Sequence, residues 1–190
     1  VGKSVVLYSG NMGRGHDMET LLGAARALRD RPDVVFAFIG EGAKRPVVEA
    51  AARELPSIRL FPYQPREALS ESLSAGDVHV VTQDAATLGL IEPSELYGVM
   101  AAGRPVLFIG PAESEAARTV AQEDLGLVVA NGDTAGAVRA LIQLSASATG
   151  RSAGVRRAFE RGYDRPCRTA QLSGLLAGAV AVAASLQPSR

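Results

Sequence analysis

The chain is poor in the residues that hold metals and cross-links. Its 190 residues include one cysteine, Cys167, and two histidines, His16 and His79. A lone thiol excludes an internal disulfide and fits a reducing compartment. With so few imidazoles, no set of nitrogen and sulfur ligands for a metal is expected. An excess of either charge is missing too: 20 Lys and Arg balance 20 Asp and Glu. No global field therefore draws the chain to nucleic acid or to an anionic membrane. The apolar stretch Leu172 to Leu186 is shorter than the roughly 20 residues a membrane span needs. No signal peptide or initiator methionine precedes Val1-Gly2-Lys3-Ser4, which runs straight into strand material, so the sequence reads as a piece of a larger protein. Gly2-Lys3-Ser4 is not a phosphate-binding P-loop, because the upstream glycine and strand are missing and a strand follows where a helix should. No Asp-x-Asp pair offers carboxylates to a divalent ion.

What is present suits a folded domain: 47% of residues are hydrophobic and 21% charged, which argues against disorder. Short, nearly continuous apolar runs alternate with helical patterns. Strands are expected at Ser4–Ser9, 33–39, Ile58–Phe61, 77–82, 105–109 and Gly126–Val129. Helices are expected at 17–29 with Asp17 as N-cap, 45–54, 66–74, 93–102 opened by Pro93, 114–122 and 134–144. Strict alternation with short connections predicts an α/β fold, a Rossmann-like doubly wound parallel sheet covered on both faces. The Ser-, Ala- and Gly-rich segment Ser145 to Gly154 predicts a turn, which divides the chain into a domain over 1–148 and a helical extension over 149–190. In that extension six arginines between Arg151 and Arg168 read as a solvated helix face, with contact to anionic lipid headgroups as the alternative. The uncharged helix from Leu172 is expected to pack against this domain and a further one.

Ligands of doubly wound sheets bind beyond the carboxyl ends of the strands, and the unusual residues sit there. Gly10-Asn11-Met12-Gly13-Arg14-Gly15-His16 follows the first strand: its glycines let a ligand approach the backbone, and the next helix offers free N–H groups to an anion. Read as a dinucleotide fingerprint it fails, because Phe38-Ile39-Gly40 puts no acidic residue at the end of the second strand. The Tyr-x-x-x-Lys pair of short-chain dehydrogenases is also missing, since Ala101 stands four residues after Tyr97. Gly40-Glu41-Gly42-Ala43-Lys44-Arg45 repeats the glycine-then-cation design after the second strand, using one of only two lysines. Gly89-Leu90-Ile91-Glu92-Pro93-Ser94 leads into a helix whose first N–H groups and Ser94 hydroxyl suit a diphosphate.

The run from Pro93-Ser94 through Leu96-Tyr97-Gly98 to Met100-Ala101-Ala102-Gly103-Arg104-Pro105-Val106 carries a resemblance. Together with Ser9–Gly13, Gly40-x-Gly42 and Phe61-Pro62-Tyr63-Gln64-Pro65, in that order, it is similar to the carboxyl-terminal domain of GT-B retaining glycosyltransferases of the large bacterial group 1 family. The resemblance covers about residues 5 to 145. It implies one half of a GT-B fold that binds a nucleoside diphosphate sugar, with UDP or GDP as nucleotide and no cofactor or metal. The acceptor and the missing amino-terminal domain of the same polypeptide would complete the site. It further implies synthesis of cell-surface polysaccharide or glycolipid by a cytoplasmic enzyme at the inner membrane face. Gly10, Asn11 and Gly13 would line the cleft near the phosphates, with Arg14 or His16 near the charge; Gly40 and Gly42, with Lys44 or Arg45, would approach the phosphates or nucleotide; Tyr63 and Gln64 would flank the base. Gly89, Leu90, Ser94, Glu95, Leu96 and Tyr97 would hold diphosphate and ribose, and Glu115 would meet the donor. No residue is marked as catalytic; Arg14, His16 and Glu92 are the candidates. Two departures stand out. Leu90 and Gly98 occupy the positions of a glutamate pair found in many members, and Glu95 stands where lysine is common. A carboxylate beside a diphosphate is unfavourable, so Glu95 must point away or meet the ribose. A non-catalytic nucleotide-sugar-binding subunit and one half of a nucleotide-sugar epimerase are the alternatives.

Overall fold

A computed structural model describes residues 2–185 of the chain, and side-chain surroundings as far as residue 179. Six strands, β1 (Ser4–Ser9), β2 (Val34–Ile39), β3 (Ile58–Phe61), β4 (Val78–Thr82), β5 (Val106–Ile109) and β6 (Gly126–Val129), form one sheet in the order β3-β2-β1-β4-β5-β6. Every pairing is parallel. Between them run α1 (Met18–Ala27), α2 (Arg45–Glu54), α3 (Leu69–Ser74), α4 (Glu95–Ala102), α5 (Glu115–Gln122) and α6 (Thr134–Gly162), followed by α7 (Arg165–Ser185). The predicted α/β doubly wound architecture is the one observed, with strand ends within a residue of those expected.

Side chains alternate between the two faces of each strand, which is why the apolar runs are continuous. Val6 and Tyr8, Phe36 and Phe38, Val78 and Val80, and Leu107 and Ile109 face one way, onto α1, α2 and the first turns of α6. Val81, Val106 and Phe108 face the other way, onto α4, α5 and the far end of α6. Strand order reverses between β1 and β4, and the pairing there is short. Only Val6–Val78 and Leu7–His79 are in register, so the two strands part before their carboxyl ends. That parting is the crevice in which doubly wound sheets hold ligands.

The predicted turn at Ser145 to Gly154 is not there. α6 runs unbroken through it for 29 residues, and the division placed between 148 and 149 falls inside this helix. Ala137, Leu141 and Leu144 pack in the first core; Val155 and Ala158 pack in the second. Between them the Ser4 hydroxyl donates to Ser145 at 2.9 Å, so the helix passes the amino end of β1 as it changes faces. Burial of both ends outweighs the weak helix propensity of the serines and glycines. Ser147 and Ser152 also satisfy their hydroxyls on carbonyls one turn back, at Gln143 and Ala148.

Three of the six arginines of this region are paired at the surface: Arg151 with Asp124, Arg156 with Glu160, Arg161 with Glu123. The apolar stretch of α7 from Leu172 is the other correction, because its described side chains do not pack on this domain, whereas the first turn stays on α6 with Arg168 4.7 Å over the Tyr163 ring. Leu172, Leu175 and Leu176 are 57%, 73% and 58% exposed. Among the described residues no helix is long and apolar enough to cross a membrane.

His79, on β4, is buried, and its Nε2 lies 2.7 Å from the Leu73 carbonyl. Burial pushes its pKa down to about 4, against the pull of that hydrogen bond and with help from nearby Arg104. The folded state therefore binds this proton less readily than the unfolded state. Stability is predicted to be full above about pH 6.5 and to fall towards pH 4, by up to roughly 3 kcal/mol. Urea unfolding at stepped pH measures it, and His79→Gln should flatten the profile. In α6, a Cβ at Gly150 or Gly154 meets only open space. Alanine at either position should add about 0.5–1 kcal/mol, whereas a turn there would gain nothing.

Candidate functional site

The loops after β1 and β2 are built against each other, backbone on backbone. Met12 N–H donates to the Glu41 carbonyl at 2.7 Å, and Lys44 N–H donates to the Met12 carbonyl at 2.8 Å. Gly40 and Gly42 make this approach possible. Both have positive φ, +133° and +142°; a Cβ at Gly40 would collide with the Gly10 carbonyl oxygen, and one at Gly42 would stand 2.5 Å from the Met12 carbonyl carbon. These glycines serve the contact between loops.

The expected cations of the second loop are also engaged. Lys44 Nζ donates to the His16 carbonyl at 2.7 Å and pairs with Glu19. Arg45 holds the Gly40 carbonyl, Glu41 and Glu49. Arg14, exposed on the first loop, has no hydrogen bond or ion pair to the described residues.

The loops after β1, β4 and β6 meet at a buried carboxylate. Asp17 caps α1 by accepting from Thr20 N–H at 3.0 Å, and its other oxygen accepts from the Thr20 hydroxyl and from Asn131 Nδ2. Asn131 also donates to the Gln83 carbonyl, and Gly132 N–H donates to the Thr20 hydroxyl. Burial works to raise the Asp17 pKa, but the bonds from Thr20 and Asn131, with Lys44 nearby, bring it below the usual carboxylate range. The ring of His16 lies across the parting of the sheet, its Nδ1 2.9 Å from the Thr82 carbonyl. A donor is required opposite that carbonyl, so Nδ1 carries the hydrogen in the neutral ring and Nε2 is left as acceptor.

Above this floor the crevice is capped by Glu95, the first residue of α4. Its side chain lies against Gly10, where a Cβ would stand 2.7 Å from the carboxylate Oε1. The space beneath it, walled by Tyr8, Ser9, His16, Val80, Val81 and Thr82, has essentially no free volume. The Tyr8 hydroxyl donates to the Asn11 carbonyl, and its pKa is raised by burial and then by Glu95 and Tyr63, against the pull of a side-chain hydrogen bond with Thr82.

Other expected residues lie around the rim. Tyr63 is exposed beside Gly40, and Gln64 donates to the Pro62 carbonyl. Leu90 is 78% exposed, on a loop that Gln83 holds through the Ile91 carbonyl. Ser94 is exposed and makes no side-chain cap. Glu115 pairs with Arg118 on α5, whose cap is the Ser114 hydroxyl. Glu92 stands close enough to Glu115 for partial burial and then repulsion to raise its pKa. Two residues point elsewhere: Leu96 is buried in the second core, and Tyr97 stacks on Tyr163 of α6's C-cap at 6.0 Å. Only their backbone reaches the strand-tip side. A separate cavity of about 390 Å³ lies on the face of β1, β2 and β3, lined by Val5, Leu7, Ala37, Ile39 and Phe61.

The family described as Glycosyl transferases group 1 matches residues 3–147. The chain belongs to this family. One relative, the putative colanic acid biosynthesis glycosyl transferase WcaI of Escherichia coli (strain K12), is 34% identical over 115 residues, which are 60% of this chain and 28% of the relative. The probable glycosyltransferase WbjE of Pseudomonas aeruginosa is 33% identical over 127 residues, 66% of this chain and 32% of its own. The chain thus spans less than a third of the length of either curated relative. Among solved structures it superposes on sucrose-phosphate synthase from Thermosynechococcus elongatus with a TM-score of 0.77 at 22% identity, over 95% of this chain and 46% of that one. Anabaena HepE in complex with UDP-glucose gives 0.72 at 14% identity, over 93% and 49%. These likenesses establish a GT-B-type Rossmann-like fold for this group 1 domain.

Sequence reasoning found Asp17 as a cap but missed Gln83 and Asn131. Their signal was a polar residue directly after an apolar strand, as in Val81-Thr82-Gln83 and Val129-Ala130-Asn131. In this group 1 domain the interlocked loops are predicted to be intolerant of a side chain at Gly40. Gly40→Ala should cost about 2–4 kcal/mol through positive φ and backbone collision, measured as a drop in urea midpoint without a change in slope.

Proposed function

We propose that this chain is the donor-binding half of a glycosyltransferase that moves a sugar from a nucleoside diphosphate, UDP or GDP, to an acceptor hydroxyl in cell-surface polysaccharide or glycolipid synthesis. The observation that carries the reading is the parting of β1 and β4, ringed by the Gly10–His16 loop, the exposed start of α4 at Ser94 and the unpaired Arg14. The names of the two curated relatives and the UDP-glucose in HepE support it.

Transfer builds negative charge on the departing diphosphate. Backbone N–H groups fixed at strand tips and helix starts, with one guanidinium, can receive that charge without reorganising. Carboxylate pairs suited to a divalent ion are missing from the motifs, so the reading needs no metal. The diphosphate would rest on residues 11–15 beside Arg14, with the base against Tyr63. The strand-tip surface is open to solvent on this chain, and the acceptor and the opposite wall would come from the rest of a longer polypeptide working at the inner membrane face. The 190 residues alone would bind donor and turn over nothing.

Titration calorimetry with UDP, GDP and ADP tests this. One of the first two should bind with a dissociation constant on the order of 0.1–1 mM, unchanged by EDTA. Arg14→Ala should weaken the diphosphate about three- to tenfold and leave the parent nucleoside unaffected. Absence of binding by all three at millimolar concentration would overturn the proposal.

A further inference from the structure

We infer that the outer flank formed by α4, the end of α6 and the start of α7 is a docking surface for an anionic lipid bilayer. The inference rests on the reading above only for its membrane, and gives that membrane a place on the molecule away from the crevice. On this flank lies an open groove of about 600 Å³. Tyr97 and Ala101 of α4, Phe159 of α6 and Tyr163 at the end of α6 wall it. Arg165 and Arg168, in the first turn of α7, also line it, and both are exposed.

The same face of α7 then becomes apolar. Positions 165, 168, 172, 175 and 176 follow the three- and four-residue spacing that puts side chains on one side of a helix. Leu172, Leu175 and Leu176 thus continue the line of the two guanidinium groups, and all three are exposed. Aromatic rings, two cations and three leucines side by side match the layers of a membrane surface. Guanidinium groups meet lipid phosphates, tyrosines sit at headgroup level, and leucines enter the acyl boundary.

Charge decides between a bilayer and a protein partner. The acids of this flank are engaged: Glu160 pairs with Arg156, Glu123 pairs with Arg161, and Asp164 accepts from the Cys167 N–H. Arg165 makes no hydrogen bond or ion pair to the described residues, and Arg168 donates only to the neutral amide of Gln171. From Arg165 to Arg190 the sequence holds three arginines and no acidic residue. A second copy of this helix would cover the leucines but bring no carboxylate to the guanidinium groups. Anionic lipids supply phosphate and hydrocarbon together. The net charge of the chain is zero, so the attraction has to be local.

Vesicle co-sedimentation of the 190-residue chain tests the inference. Phosphatidylcholine vesicles with about 30% phosphatidylglycerol should bind it, less tightly as salt is added, and pure phosphatidylcholine vesicles should not. Arg165→Gln together with Arg168→Gln should weaken binding roughly 25-fold, about fivefold for each charge near an anionic surface. Leu175→Ser with Leu176→Ser should weaken it on the order of tenfold. Arg29→Gln, beyond the end of α1 on the other face of the sheet, should leave it unchanged. Thermal unfolding checks that all variants fold alike. No binding to the anionic vesicles, or binding that ignores the arginine and leucine variants, would overturn the inference. So would a wild-type dimer that the leucine variant makes monomeric while vesicles go unbound, which assigns the face to a second copy. Nucleotide titration of the same proteins keeps the two readings apart. Nucleotide binding without vesicle binding sinks this inference alone, and vesicle binding without nucleotide binding supports it while sinking the donor reading.

Discussion

The geometry of the strand-tip surface depends on one buried anion. Asp17 ends the first loop, caps α1 and, through Thr20 and Asn131, fixes the loops after β4 and β6. Parallel strands offer no tight hairpins to set their connecting loops, since each is followed by a crossover. Loop positions must therefore be fixed by contacts among the loops themselves. Here a charge-assisted hub does this on one side of the crevice, and glycine-enabled backbone contact between the first two loops does it on the other. His16 joins the two by spanning the place where β1 and β4 part.

This division explains how much of the molecule was legible in its sequence. Strands buried on both faces are written as unbroken apolar runs, and helices packed on one face as a 3.6-residue rhythm, so β1 to β6 and α1 to α5 could be read locally. The α6 turn misled because Ser, Gly and Ala are locally ambiguous, and what makes them helical is the burial of Leu144 and Val155 in different cores. The strand-tip motifs were found, but their uses were not separable. A glycine that lets a ligand approach and a glycine that lets a neighbouring loop approach look identical in sequence, and Gly40 and Gly42 are of the second kind. Likewise Asp17 was legible as a cap because its partner Thr20 is three residues away, whereas Asn131, 114 residues distant, was not. The resemblance put Tyr97 with the diphosphate, yet its place two residues beyond Glu95 on the helix carries its ring to Tyr163 at the end of α6.

Charge accounting at the crevice follows from the same packing. The two cations that the second loop contributes are consumed in holding carbonyls and surface carboxylates, which leaves Arg14 as the guanidinium beside the parting without a partner among the described residues. An anionic ligand on this surface would depend mainly on amide dipoles, whose strength falls off within a turn of the helix.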